Sequence, residues 1–264
     1  MLENILLPIM RLKLSVTFFI LLLAFCVFAA CNSQNRTEQS RAAVPSGPPP
    51  APIDPTTVAS VSGTVHFDGT APEMVPIDMS NDPACKGDNK AETVVAKDGK
   101  LANVFVYVKD GLGNRMFPAP ASPVVIDQTG CRYRPHVAGV MVGQRLDIKN
   151  DDPTEHNVHA IGMQNAQWNE SQMPKAAPIE KSFDHPEIML PIKCNQHPWM
   201  KMYVNVVSNP FYAVTDEDGK FEINGLPPGT YTIAFVQEKL GEQDQKITLG
   251  AKDKKTLDIS FKAQ

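Results

Sequence analysis

The chain has 264 residues, 42 % of them hydrophobic, and a formal net charge of −4. That length suits one large domain or two small ones, and the charge excludes the basic footprint of a nucleic-acid binder. With 23 prolines and 16 glycines, and no long apolar run of 3.6-residue period beyond the first thirty residues, the chain reads as all-β and rich in turns.

The first element is a leader. In "MRLKLSVTFFILLLAFCVFAAC", from Met10 to Cys31, Arg11 and Lys13 precede an apolar run and then small residues, the layout of a secretory signal peptide. The run, about 17 residues long, is at the lower limit for spanning a bilayer. Met10 is taken as the true start. The ending "FAAC" resembles a bacterial lipobox, in which the cysteine is lipidated and becomes the mature N-terminus, although Phe28 stands where leucine is usual. By that resemblance residues 1–31 are a signal lipidated at Cys31. Asn32 is not the aspartate that retains lipoproteins in the inner membrane, so the resemblance implies an outer-membrane lipoprotein facing the periplasm. A secreted or periplasmic protein cleaved after Ala30 is the alternative.

Residues 32–57, "NSQNRTEQSRAAVPSGPPPAPIDPTT", cannot bury enough apolar surface to offset chain entropy and read as a disordered linker. Cys26 and Cys31 belong to the leader, which leaves Cys85, Cys131 and Cys194. In an oxidising compartment two of these three should pair, and all three pairings are open.

From Ala59 onward short apolar runs alternate with turn signals. "SVSGTVHF", "LANVFVYVKDG", "VVIDQTG", "QRLDIKND", "NVHAIG", "IMLPIKC" and "MYVNVVS" read as strands of a β-sandwich. "GMQNAQWNESQMPKAAPIEK" reads as a long irregular loop between two of them. The segment "TDEDGKFEINGLPPGTYTI" then resembles the carboxypeptidase regulatory-like module, a small β-sandwich, assigned here to residues 209–264. That is short for an independent sandwich, so sharing strands or a face with the preceding domain is expected. Such modules serve as scaffolds or glycan binders. No aromatic platform argues for carbohydrate here, so a scaffold is expected.

Two stretches carry the chemistry. "HNVH" at 156–159 and "CNQHPWM" at 194–200, with "YRPHVAGVMVGQRLDIKNDD" ahead of them, resemble the cupredoxin (blue copper) family, amicyanin in particular. The resemblance implies a Greek-key β-sandwich, placed at residues 58–208 with an N-terminal strand extension. It implies one copper ion, cycling between Cu(I) and Cu(II), held by His156, Cys194, His197 and Met200. If Cys194 is kept for copper, Cys85 and Cys131 are the expected disulfide. The chemistry agrees, since such a site takes two imidazoles, a thiolate and a weak axial thioether.

The resemblance also makes His197 the electron port, its ring edge at the surface, with Trp199 in an apolar collar around it. It makes Asn157 the stitch between the two ligand loops. Residues 156 and 159 of one strand point to opposite faces, so His159 is read as a surface or supporting residue. His136 reads as core or surface, and His66 and His185 as surface. A binuclear copper centre would need two cysteines in the ligand loop, and Cys194 is alone there. The expected function is periplasmic single-electron transfer between redox partner proteins, with no catalysis of its own. Copper storage, delivery or resistance is the first alternative, and a metal-free adhesive or carbohydrate-binding sandwich the second.

Overall fold

The computed structural model describes residues 52–263. The leader, the lipidation expected at Cys31 and most of the linker lie outside the described residues.

The described residues form nineteen strands and no helix. They are β1 (Ala59–Asp68), β2 (Ala96–Lys97), β3 (Lys100–Leu101), β4 (Phe105–Asp110), β5 (Val124–Gln128), β6 (Tyr133–Arg134) and β7 (Val137–Met141). Next come β8 (Leu146–Asn150), β9 (His156–Ala160), β10 (Trp168–Gln172), β11 (Ile179–Lys181), β12 (Glu187–Lys193) and β13 (Lys201–Val207). The last six are β14 (Tyr212–Val214), β15 (Lys220–Leu226), β16 (Gly229–Gln237), β17 (Gly241–Leu249), β18 (Lys254–Thr256) and β19 (Ile259–Lys262).

Two sandwiches result. In the first, a sheet ordered β10-β9-β12-β13-β7 faces one ordered β11-β8-β5-β6. Alternate residues point inward, so Ile126, Ile148, Val158, Leu190, Ile192, Val204 and Val206 share one core. The parallel pairs β5–β8 and β7–β13 require crossing connections, which give this sandwich its Greek-key character.

The second sandwich is assembled from both ends of the chain. β1 pairs antiparallel with β15 and β3, and parallel with β18 and β19. Its other sheet is ordered β14-β4-β16-β17. Val61, Phe67, Val106, Phe221, Ile233, Phe235 and Phe261 fill the core between them. The division expected at residues 208 and 209 is therefore not where the sheets divide. The strands β1–β4 do not extend the sandwich that follows them; they complete the C-terminal one, and residues 124–207 are inserted into it. The reason is burial: the apolar face of β1 finds its cover on β4 and β16 of the facing sheet.

A second correction concerns "GMQNAQWNESQMPKAAPIEK". It contains β10, which extends the sheet by pairing along β9, and β11, which pairs with β8. These strands are polar because they lie at sheet edges and bury little, so their sequence lacks a strong apolar alternation.

The sandwiches meet along two seams. In the apolar one, Phe105, Val137, Met141 and Val207 pack together with Tyr107 and Tyr212. Gly139 lies under it: a Cβ there would come within 2.4 Å of the Tyr212 ring and 2.8 Å of the Phe105 ring. In the polar seam, the Glu238 carboxylate accepts from Lys201 at 2.8 Å and bonds His136 Nε2 at 2.6 Å. Burial raises the Glu238 carboxyl, but the His136 and Lys201 hydrogen bonds outweigh it and hold its pKa below the ordinary 4.5.

A carboxyl with a depressed folded pKa contributes stability that is complete above its unfolded value, here about 4.5, and is lost as pH falls through the folded value. Glu238→Gln should cost roughly 1.5–3 kcal/mol at neutral pH, the usual worth of hydrogen bonds to a charged group. Denaturant unfolding of the two proteins should converge on acidification; curves that stay parallel would contradict this role.

Candidate metal centre

The heptad "CNQHPWM" is a hairpin loop. β12 and β13 pair up to Lys193 and Lys201, and the ladder continues one rung into the loop, where Cys194 N–H donates to the Met200 carbonyl at 3.1 Å. The Met200 N–H donates to the His197 carbonyl at 2.8 Å, which folds the tip back over its own base. On the other side β9 pairs with β12 through Ile192 with Ala160 and Lys193 with His159. That register carries the first residues of β9 alongside the loop. The Asn157 N–H donates to Cys194 Sγ at 3.3 Å, and its side-chain oxygen accepts from Asn195 N–H at 3.1 Å. Asn157 thus joins the segments that carry His156 and Cys194.

Three donors converge at this mouth. His156 Nδ1 lies 2.9 Å from His197 Nδ1, and Cys194 Sγ lies 3.7 Å from His197 Nδ1. Single donor atoms of the three residues all fall within 4.8 Å of one another. The residues are 0 % (His156), 3 % (Cys194) and 5 % (His197) exposed, and Met200, at 1 %, is buried in the same core. Burial raises the Cys194 thiol, but hydrogen bonds from His156 and from the backbone N–H groups of Asn157, His197 and Gln196 outweigh it and bring the pKa down. A thiolate is the form that binds a metal. Two imidazoles with a thiolate-prone cysteine make a donor set for a soft or borderline ion.

The far nitrogen of each imidazole meets a carboxylate. His156 Nε2 lies 2.8 Å from Asp152 Oδ2, and His197 Nε2 lies 3.0 Å from Asp82 Oδ2. Burial disfavours the charged form of His156, yet the bonds to Asp152 and Cys194 carry its pKa up to about 9. The Asp152 carboxylate also accepts the backbone N–H of Gly130 and of Cys131, both at 2.7 Å. Asp82 comes from the 69–95 segment, the connection from β1 to β2, which crosses from the split sandwich to the mouth of the inserted one. Cys85 and Cys131 form a disulfide, so of the three pairings open in the sequence this one ties the segment to the turn before β6. Asn89 adds a bond to the Gly130 carbonyl at 2.7 Å, and Arg132 pairs with Glu92.

One expected role is corrected. His197 does not present its ring edge at the surface. Asp82 and Cys85 lie over its Nε2, the latter at 3.9 Å, and the ring is buried. Trp199 is half-buried, its ring centroid 5.0 Å from that of His197, and its Nε1–H donates to the Cys131 carbonyl at 3.1 Å.

The other histidines stand apart from the converging donors. His159 Nδ1 bonds the Asn195 side chain at 3.1 Å on the outer side of β9. His136 is held between Glu238 and Glu92. His66 lies 3.5 Å from Lys100 Nζ, and His185 is exposed. Asp82 and Asp152 are the residues that sequence reasoning missed. Asp152 stands four positions before His156, a spacing that could have drawn attention to it; nothing local marks Asp82.

Comparison with known proteins bears on both sandwiches. Residues 198–262 match the carboxypeptidase regulatory-like domain family; within that span, β13 belongs to the inserted sandwich. No curated protein matches the chain in sequence. Among solved structures, a purple cupredoxin from Nitrosopumilus maritimus is 21 % identical, with a TM-score of 0.28, covering 31 % of this chain and 98 % of its own. An oxidised amicyanin variant is 21 % identical, with a TM-score of 0.30, covering 38 % of this chain and 97 % of its own. A copper-containing nitrite reductase from Thermus scotoductus SA-01 is 17 % identical, with a TM-score of 0.31, covering 55 % of this chain but 28 % of its own. At such scores these likenesses carry no weight beside the side-chain geometry.

The disulfide closes a chain separation of 46 residues, for which loop entropy gives a stabilisation of about 4 kcal/mol. The double variant Cys85→Ser, Cys131→Ser should lose up to that amount in denaturant unfolding. An unchanged midpoint would mean that the noncovalent bonds of Asn89 and Arg132 hold the segment unaided.

Proposed function

We propose that this protein is a mononuclear copper electron carrier, with His156, Cys194, His197 and Met200 as ligands. The observation that carries the reading is the convergence of both histidine Nδ1 atoms and the Cys194 sulfur at one buried point. Copper held there would supply a one-electron Cu(I)/Cu(II) couple. Around it, the sheets fix His156 on a strand and the other three ligands on one hairpin, so little of the frame need move when charge changes. The Asn157 N–H bond to Cys194 Sγ withdraws density from the sulfur and tunes the site.

Near-complete burial of all four proposed ligand residues favours retention of the ion over its delivery; the protein is proposed as a carrier, not an enzyme. The ring contact between His197 and Trp199 offers the path to the surface. Beside Trp199 a hollow of about 200 Å³ is lined by Pro198, Arg132, Lys201 and Glu92, and this is the face proposed for docking a redox partner protein. A disulfide inside the fold supports an oxidising compartment. Together with the leader sequence it supports a periplasmic location with a lipid anchor at Cys31. No helix among the described residues is long and apolar enough to cross a membrane.

Loaded with Cu(II), the protein should show an intense thiolate-to-copper visible band that Cys194→Ser abolishes. A colourless wild type, or a band that survives in Cys194→Ser, would overturn the assignment.

A further inference from the structure

A neutral imidazole carries its proton on one nitrogen only, and the hydrogen bond at one nitrogen decides what the other can do. A carboxylate can accept but not donate, so the ring nitrogen facing it must hold the proton. At His197 that nitrogen is Nε2, 3.0 Å from Asp82 Oδ2. The consequence falls on Nδ1, which is left with its lone pair aimed towards His156 and Cys194.

Asp82 is fixed independently of His197. Its Oδ1 accepts the Ala84 N–H at 2.8 Å, and its Oδ2 accepts the Thr154 hydroxyl at 2.8 Å. Its own N–H donates to the Met79 carbonyl at 3.1 Å, and its carbonyl accepts from Cys85 N–H at 3.0 Å. Three positions on, Cys85 is bonded covalently to Cys131. The carboxylate is therefore placed by the 69–95 segment rather than recruited by the imidazole.

Resting on the copper reading above, we propose that Asp82 is the positioning residue for the ligand His197. It selects the Nε2–H tautomer, orients the ring, and adds a negative charge next to the site that stabilises Cu(II) more than Cu(I). The split sandwich, through its β1–β2 connection, thereby tunes a metal centre built in the other sandwich. Asp152 orients His156 through its Nε2 from an adjacent turn, whereas Asp82 reaches in from the second sandwich.

The test compares the wild-type protein with Asp82→Asn, which keeps the shape and removes the charge, and with Thr154→Val. The latter removes the other side-chain bond to the carboxylate and leaves the Asp82–His197 contact in place. In copper-free protein, ring 15N shifts of His197 should report the Nε2–H tautomer in wild type and Thr154→Val, and a mixture of tautomers in Asp82→Asn. With copper, Asp82→Asn should keep the visible band but bind Cu(II) ~10–100-fold more weakly, the usual cost of losing such a supporting group. Its Cu(I) affinity should fall less, so its reduction potential should rise, while Thr154→Val leaves both affinities near wild type. The proposal is overturned if Asp82→Asn retains the wild-type tautomer and the wild-type ratio of the two affinities. It is equally overturned if Thr154→Val reproduces the Asp82→Asn changes, since loosening of the segment would then explain them. Absence of the visible band from the wild type would overturn the copper reading instead, and the tautomer measurement would still decide the role of Asp82.

Discussion

Two imidazole rings stand in the interior with their Nδ1 atoms 2.9 Å apart, and what holds them there is a carboxylate at the far nitrogen of each. Buried polar groups are costly unless their hydrogen-bonding capacity is met, so a ring satisfied at Nε2 is held in one orientation and presents its other nitrogen inward. Much of the surrounding structure serves to place those carboxylates. Asp152 is locked by the backbone N–H groups of Gly130 and Cys131, and Asp82 by the turn that precedes Cys85. The disulfide joins the two arrangements, because Cys131 donates to Asp152 and is bonded to the residue three beyond Asp82.

The insertion of one sandwich into another follows the same logic. A module appended at the C-terminus would touch its neighbour only at a seam. A module split around its neighbour can send a connecting segment across the neighbour's open end, and the segment from residue 69 to 95 does so. Met79 and Cys85 of this segment are buried in the core of the inserted sandwich, whereas Val94, at its end, is buried in the core of the split one. The close approach at Gly139, where no side chain fits beneath Tyr212 and Phe105, keeps the apolar seam tight. The segment can then be short of regular structure and still fixed in place.

The hairpin with the candidate donors was legible because its chemistry is local. Cysteine, histidine and methionine three apart, between two apolar strands, announce a loop with donors at its base and tip, and "HNVH" marks a strand end carrying a fourth. The positions of the core strands were legible from their period of two, whereas the polar edge strands β10 and β11 were not. Strand partners were not, because alternation tells which face of β1 is buried and says nothing about whether β15 or β8 lies beside it. The division into sandwiches was missed for that reason. The burial of His197 escaped the sequence for a related reason: Pro198 and Trp199 show an apolar collar around it, but its cover comes from Asp82, 115 residues away in the chain. An aspartate in a proline-containing turn has no sequence signature that separates a turn former from a supporting ligand partner.

On the copper reading, His156, Cys194 and His197 share one metal ion through Nδ1, Sγ and Nδ1. The decisive measurement is a crystal structure of the copper-loaded protein with anomalous scattering collected at the copper edge. The expected result is one anomalous peak bonded to those three atoms, with both Nε2 atoms still on Asp82 and Asp152. A peak bonded to an Nε2 atom or to either carboxylate, or one lying away from the Cys194 sulfur, would contradict it.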